Sequence, residues 1–479
     1  MKEIIVDVGL QYIRTALLEN DELIEFQIEE KEHQSVVGNI YRGLVQKVIP
    51  GIGAAFIDIG EDKNAYLSLA EKQPIFWEEG KELSMLKSGQ AITVQAIKEG
   101  TATKGITVTT QISLPGKYFV FLSDRPDIHI SKKIKQEKER KRLMMIVEQY
   151  KKPQYGVIIR TEAMEKIEEE LLQDYLILQE KWLDILKRES FAMPKTIIHR
   201  EMSSGLKNVR EFFTDDVHAY KINDNELHQE VKQFVSQHIP TLVDKVEYVP
   251  EAEDLFVNYK IESKVKKALQ PRVWLKSGGI LIIEETEALT VIDVNSGKFI
   301  GKKNVEETIL KTNLEAAVEI AKQVRLRNHS GIIIIDFIDM AEKDNQKKVL
   351  IALEKAFKKD PVPSRILGMT SLGLVEMTRK KRRNSLQEQL MESCNHCQRG
   401  KKYGKAFLVP KIEKEIQQLI HNTTAEEILL EGTEEVLSFF YDYKRRFLKP
   451  LKLKKNDLLF QDGYKVSAIF SPSSDSSLI

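Results

Sequence analysis

Two aspartates, Asp293 in Ile-Asp-Val-Asn-Ser-Gly and Asp336 in Ile-Ile-Ile-Ile-Asp-Phe-Ile-Asp, each close an apolar, strand-forming run, and a long amphipathic helical pattern lies between them. A strand, a crossover helix and a second strand make a βαβ unit. Its strands run parallel and are often neighbours, so both carboxylates are expected at the carboxyl edge of one sheet. Ligands of open α/β sheets bind along that edge. The aspartates lie 43 positions apart, room enough for the ~30 residues of a whole βαβ unit. Between them, Val305, Ile309, Ala316, Ile320 and Val324 recur at helical spacing and give the crossover helix one buried face. Two carboxylates brought together without a fixed cation repel and one tends to stay protonated, whereas Mg²⁺ keeps both ionised. A single strand-end aspartate is more often a turn or cap residue; a pair at equivalent strand ends favours a metal site. Asn295 is expected to orient Asp293 or hold a phosphate, and Asp339 is either a third ligand or a helix cap. On spacing alone, a metal-dependent phosphatase fits as well as a nuclease.

The chain has 479 residues, enough for three or four domains of ordinary size. Its 73 Lys and Arg nearly balance its 72 Asp and Glu, so net charge does not point to nucleic acid. Local charge does. Met377 to Lys405 carries nine basic residues against two acids, and Ser131 to Lys152 carries nine against three. A solvated helix face explains either run equally well. The N-terminus lacks the basic and apolar segments of a secretory signal, and no apolar stretch approaches the ~18 residues of a membrane span, so a cytoplasmic chain is expected. With only two cysteines, Cys394 and Cys397, a disulfide framework is not expected; a metal site, a redox pair and two unligated thiols are the readings left open.

Residues 1–34 read as alternating strands too few to bury a core, so they are expected to pair with a distant segment, 206–269. Asp7 on the first strand reads as a turn residue or as a carboxylate ligand of an RNase H-like fold. From Gly38, short strands separated by glycine turns suggest a small OB-type barrel over 35–114, an architecture that commonly binds single-stranded nucleic acid. Phe56 and Tyr66 are candidate base-stacking platforms or core aromatics, with Lys104 a candidate phosphate contact. Residues 115–205 form a further unit in which Arg160 and Thr161 end a strand, a pair suited to a phosphate or to a salt bridge.

These residues resemble a known family. Ile-Asp-Val-Asn-Ser, Val-Glu-Glu-Thr-Ile-Leu-Lys-Thr-Asn-Leu-Glu-Ala-Ala (305–317), Ile-Ile-Asp-Phe-Ile-Asp-Met and Gly-Leu-Val-Glu-Met-Thr-Arg-Lys-Lys (373–381) are similar to segments of the RNase E/RNase G endoribonucleases. So are Asn39-Ile-Tyr-Arg-Gly, Ala54-Ala-Phe-Ile-Asp, Lys104-Gly and Arg160-Thr161, and the resemblance extends over the whole chain. With no long scaffold tail like that of the RNase E branch in this sequence, the chain is expected to look more like the RNase G branch.

The resemblance implies an α/β multidomain chain. An RNase H-like domain (1–34 and 206–269) would carry an inserted S1-like barrel (35–114) and a 5′-sensor subdomain (115–205). A DNase I-like catalytic subdomain (270–390), a zinc-link (391–405), a small C-terminal domain (406–470) and a disordered, serine-rich tail (471–479) would follow. Asp293 and Asp336 would hold the catalytic Mg²⁺, supported by Asn295. The metal would activate water for cleavage of single-stranded, AU-rich RNA to 5′-phosphate and 3′-hydroxyl ends, in rRNA maturation and mRNA decay. Phe56, Tyr66 and Lys104 would grip RNA, with tyrosine standing where the family has a second phenylalanine. Val120, Arg160 and Thr161 would sense a 5′-monophosphate; the family arginine that completes this pocket aligns with Ser371. Cys394 and Cys397 have the spacing of half a tetrahedral zinc site. In the family two protomers share one Zn²⁺ through this pair, which implies a homodimer and leaves pairing into tetramers open. Asn395 stands where the family has proline. The competing expectation is a non-catalytic RNA-binding or ribosome-associated protein, resting on the barrel and basic runs alone.

Overall fold

Five short strands close into a ring in the computed structural model, which describes residues 1–31, 35–69, 86–100, 104–202, 204–250, 254–297, 305–394, 400–459 and 462–470. Ile40–Ile49 pairs with Ala54–Asp58, which pairs with Ala65–Ser68. Ala65–Ser68 pairs in parallel with Thr107–Thr109, which returns through Ala91–Lys98 to Ile40–Ile49. Alternation fills the barrel: Val45, Ala55, Ile57, Ala65, Leu67, Ile92, Val94 and Val108 point inward and are buried together. Gly105 is fixed by the closure, because a Cβ there would sit 2.1 Å from the Asn64 carbonyl oxygen.

The barrel belongs to one of two compact units, residues 33–213 and 229–244; the other comprises residues 1–32, 214–228 and 245–479. The barrel's unit also holds a four-stranded sheet in the order Ile128–Ile130, Gly156–Ile159, Phe119–Leu122, Ser113–Pro115. Phe121, Tyr155, Tyr175 and Trp182 pack together between this sheet and the helix Glu168–Phe191.

In the other unit, Lys2–Val8, Tyr12–Glu19 and Glu22–Glu30 form an antiparallel meander. Its first strand pairs on the far side, in parallel, with Ala219–Ile222, which pairs with Val246–Tyr248. Asp7 is neither a turn residue nor an open ligand. It is 1% exposed within its strand. Arg14 Nη2 lies 2.6 Å and Lys414 Nζ 2.7 Å from its carboxylate, and Asn223 Nδ2 donates to it at 2.9 Å. Residues 406–470, expected as a small C-terminal domain, pack into a core that includes the first strands. Phe407, Ile412, Ile416, Ile428 and Phe440 share one buried cluster with Ile5, Tyr12, Ala16 and Leu18.

The largest sheet of this unit runs Arg272–Trp274, Ile280–Glu285, Leu289–Asn295, Gly331–Asp336, Leu374–Arg379, Ser364–Met369. Leu289–Asn295 and Gly331–Asp336 are parallel, and the helix Val305–Leu326 crosses between them. Ile292, Val294, Ile333 and Ile335 face that helix and the helix Lys343–Phe357, meeting Ala316, Ile320, Val324, Val349 and Leu353. Among the described residues, helices cover only this side of the sheet. No helix among the described residues is long and apolar enough to cross a membrane.

Candidate active site

Strand alternation decides where the two aspartates go. In Leu289–Asn295 the buried residues are Thr290, Ile292 and Val294, so Val291, Asp293 and Asn295 point to the opposite face. In Gly331–Asp336 the buried residues are Ile333 and Ile335, which turns Asp336 to that same face. Register places Asp293 directly opposite Asp336. The carboxylates therefore meet on the open face of the sheet, at the carboxyl ends of two parallel strands, rather than beyond its edge.

Asn295 Nδ2 donates to Asp293 Oδ2 at 2.6 Å, which fixes the carboxylate's rotation and leaves its other oxygen for a ligand. The Asp336 carboxyl is pushed above its ordinary value by desolvation, and further by the negative charges of Asp293 and Asp339. That is the electrostatic condition a divalent cation relieves. Asp339 does not complete a cluster: among the described residues no three His, Cys, Asp or Glu side chains converge on a metal-sized site. Two carboxylates still suit Mg²⁺, which is commonly held by one or two of them with phosphate oxygens and water filling the remaining positions.

The backbone around the pair is held from behind. Asn313, fully buried on the crossover helix, donates to the Ile338 carbonyl at 2.8 Å and accepts from the Ile338 N–H at 3.2 Å. Glu315 on the same helix accepts the N–H groups of Lys276 at 2.6 Å and Ser277 at 3.0 Å, anchoring the turn before Ile280–Glu285. Ser371 lies at the exposed tip of the hairpin that joins Ser364–Met369 to Leu374–Arg379. Leu374 is the register partner of Asp336, so this hairpin runs directly off the carboxylate strand.

On the barrel, Phe56 and Tyr66 are register partners on the outer face, not core aromatics. Their rings meet edge to face, 6.3 Å between centroids and 74° between planes, and Tyr66 is 36% exposed. Lys104 is exposed in the loop that enters Thr107–Thr109, the strand beside Tyr66.

The four-stranded sheet brings Val120, Arg160 and Thr161 into one neighbourhood. Val120 is opposite Ile158, two residues before Arg160. The Arg160 N–H donates to the Tyr118 carbonyl at 2.9 Å, and its Nη1 donates to the Gly116 carbonyl at 2.7 Å. Thr161 Oγ1 lies 2.9 Å from Ser131 Oγ. The loop they share is held by Asp174, whose buried carboxylate accepts N–H groups from Lys117, Tyr118 and Phe119 at 3.0, 2.9 and 3.0 Å. Gly116 is required there, since a Cβ would lie 2.7 Å from Asp174 Oδ2.

Comparison with known proteins bears on both sheets at once. A sequence model of the ribonuclease E/G family matches residues 113–382, which span Val120, Arg160, Asp293 and Asp336. The chain belongs to the ribonuclease E/G family. Ribonuclease G of Escherichia coli (strain K12) is 36% identical over 445 residues, 91% of each chain. Ribonuclease G of Haemophilus influenzae is 37% identical over 459 residues, 94% of each. Ribonuclease E of Nostoc sp. is 35% identical over 402 residues, 83% of this chain and 58% of that one.

In this ribonuclease E/G-family chain, Asn313, Glu315 and Asp174 position the sites and were not singled out by sequence reasoning. Two of them carried a legible signal. Asn313 sits among Thr312, Ala316, Ala317 and Ile320, and Asp174 among Leu171, Tyr175 and Leu178, each a polar group on the apolar stripe of a helix. Such a group must find a partner in the core. Arg379, counted in the basic run, is instead buried: its Nε donates to Asp360 at 2.7 Å and its Nη1 to Asn328 at 3.0 Å. Cys394 follows the strand Met391–Ser393, whose hairpin partner is Lys401–Tyr403, and its N–H donates to the Gly400 carbonyl at 2.8 Å. Cys397 and Asn395 lie outside the described residues, as does the tail 471–479.

Proposed function

We propose that this protein is a Mg²⁺-dependent endoribonuclease that cleaves single-stranded, AU-rich RNA to 5′-phosphate and 3′-hydroxyl ends, acting in rRNA maturation and mRNA decay in the cytoplasm. The observation that carries the reading is the opposition of Asp293 and Asp336 on an open sheet face, in a chain of the ribonuclease E/G family. Asp293 and Asp336 hold the metal. When bound, Mg²⁺ supplies an activated water and neutralises charge on the phosphate under attack. Asn295 keeps Asp293 in its ligating rotamer through the 2.6 Å hydrogen bond. Phe56 and Tyr66 stack on bases, and Lys104 contacts the backbone between them. Val120, Arg160 and Thr161 receive a 5′-monophosphate, the guanidinium and hydroxyl supplying charge-assisted hydrogen bonds. Cys394 and Cys397 from two protomers share a structural Zn²⁺ and link a homodimer. In this reading the subunit parts are RNase H-like, S1-like, 5′-sensing and DNase I-like, in the order the chain runs.

The test is cleavage of a labelled AU-rich oligoribonucleotide and of its DNA counterpart, each with Mg²⁺ and with EDTA. RNA-specific, EDTA-sensitive cleavage supports the reading. RNA binding without cleavage supports a non-catalytic RNA-binding protein, and equal cleavage of DNA supports a general nuclease. For the zinc-link, Cys394→Ser should release bound zinc and convert dimers to monomers; an unchanged dimer in a parent protein without zinc rejects it.

A further inference from the structure

The open face that displays Asp293 and Asp336 continues across two more strands to the sheet edge. Trp274 pairs with Ile280 and Ile280 with Asn295; Arg272 pairs with Ile282, Ile282 with Asp293, and Asp293 with Asp336. Side chains directly opposite one another share a face. Two parallel rows therefore cross the sheet, Trp274–Ile280–Asn295 and Arg272–Ile282–Asp293–Asp336. At ~4.8 Å per strand the indole is rooted about 10 Å from Asn295.

Trp274 is 67% exposed, an unusual position for the largest apolar side chain. Its backbone is nonetheless rigid. Leu275, the next residue, is buried in the sheet's core and accepts from Gly278 while donating to Gly279. Glu315 holds the turn from the crossover helix, and the Ile283 N–H donates to the Pro271 carbonyl at 2.8 Å. An aromatic ring on a fixed edge strand, with an exposed arginine two residues away on the same face, is a stacking surface with a cation beside it.

We infer that Trp274, together with Arg272, is a base-stacking platform that holds a nucleotide next to the scissile phosphate. The inference rests on the endoribonuclease reading, because that reading lays single-stranded RNA on this face of the sheet. The occupant follows from continuity with the carboxylate pair: any phosphodiester presented to Asp293 and Asp336 must lie on the face where Trp274 stands, and the neighbouring base then reaches the indole. Arg272 offers its guanidinium to the adjoining phosphate. The ring accepts any base, so Trp274 contributes affinity and placement of the cut rather than a base code.

The experiment compares the full-length wild-type protein with Trp274→Ala and Trp274→Phe on oligoribonucleotides carrying one abasic site, moved stepwise past the cleavage position. Loss of one base stack, ~1–3 kcal/mol, corresponds to a rise in KM of about tenfold for Trp274→Ala, and Trp274→Phe should recover most of it. Wild type should lose a similar factor at one abasic position, and Trp274→Ala should lose nothing there. Wild-type cleavage with an identical abasic profile in Trp274→Ala overturns the inference alone. A change in oligomeric state on Trp274→Ala with the abasic profile intact also overturns it, marking the face as a contact between copies. No cleavage by wild type overturns the endoribonuclease reading itself.

Discussion

Asn313 on the crossover helix and Ile338 beyond the Asp336 strand exchange two hydrogen bonds, at 2.8 and 3.2 Å, through one fully buried amide. This fixes the chain two residues past Asp336 to the helix behind the sheet. In Asn313→Ala the Ile338 N–H and carbonyl lose their partner, at a cost of about 1–3 kcal/mol. The expected outcome is a lower Tm and, in the protein that remains folded, a fall in kcat larger than any rise in KM. Thermal melts and steady-state cleavage kinetics check both parts.

Phe56 and Tyr66 meet edge to face at 6.3 Å on the barrel's outer surface. Each ring that stacks on a base contributes ~1–3 kcal/mol. Phe56→Ala or Tyr66→Ala should therefore weaken binding of a single-stranded oligoribonucleotide about tenfold, read by fluorescence anisotropy in an Asp293→Asn background that does not cut the probe. Because both side chains lie outside the barrel core, Tm should change little.

Asp174 gathers three backbone N–H groups at 2.9–3.0 Å beneath the Arg160 and Thr161 neighbourhood. Asp174→Ala strands those buried donors and loosens the loop at Gly116, whose carbonyl anchors Arg160. The expected result is a preference for 5′-monophosphate over 5′-hydroxyl substrates that falls toward unity, while the rate on 5′-hydroxyl RNA is largely kept. Paired substrates differing only at the 5′ end make the measurement.

Glu413 is 2% exposed, and its Oε1 has no hydrogen-bond partner among the described residues. Burial pushes its carboxyl up from an ordinary 4.5 to about 7, against the opposing pull of the Leu10 N–H and the Arg14 charge. Between those values the folded chain binds a proton that the unfolded chain has released, so stability falls as pH rises from 4.5 to about 7 and levels off above. The shift corresponds to roughly 3 kcal/mol. Glu413→Gln has no such proton to lose, so its Tm should exceed the wild-type value at pH 8 and match it at pH 4. Thermal melts at the two pH values decide it; an equal difference at both contradicts the assignment.

Apolar alternation made the βαβ unit legible, because period-2 and period-3.6 patterns are set by burial and survive without tertiary information. It also located Asp293, Asp336 and Asn295 on adjoining strand ends. Register was not legible, so the choice between the sheet's edge and its open face waited on the pairing of Asp293 with Asp336. The same limit hid whether Phe56 and Tyr66 faced inward. The burial of Asp7 is not legible because two of its three partners, Lys414 and Asn223, are hundreds of residues away in sequence, and long-range pairing leaves no local periodicity. The shared core of 406–470 with the first three strands was invisible for that reason too. Trp274 was overlooked because an exposed aromatic on a three-residue edge strand has no pattern to interrupt.

Metal-dependent RNA cleavage by the opposed carboxylates of Asp293 and Asp336 is the proposal on which the other roles depend. Its most direct test is the single-turnover cleavage rate of a 5′-monophosphorylated, single-stranded oligoribonucleotide by wild type, Asp293→Asn and Asp336→Asn across a Mg²⁺ titration, with RNA affinity measured in parallel. Losing a charged ligand to a metal that supplies several kcal/mol of transition-state stabilisation should slow cleavage by about a thousandfold or more in either variant. RNA affinity should change little. Cleavage by Asp336→Asn at the wild-type rate and the wild-type Mg²⁺ dependence would contradict the account.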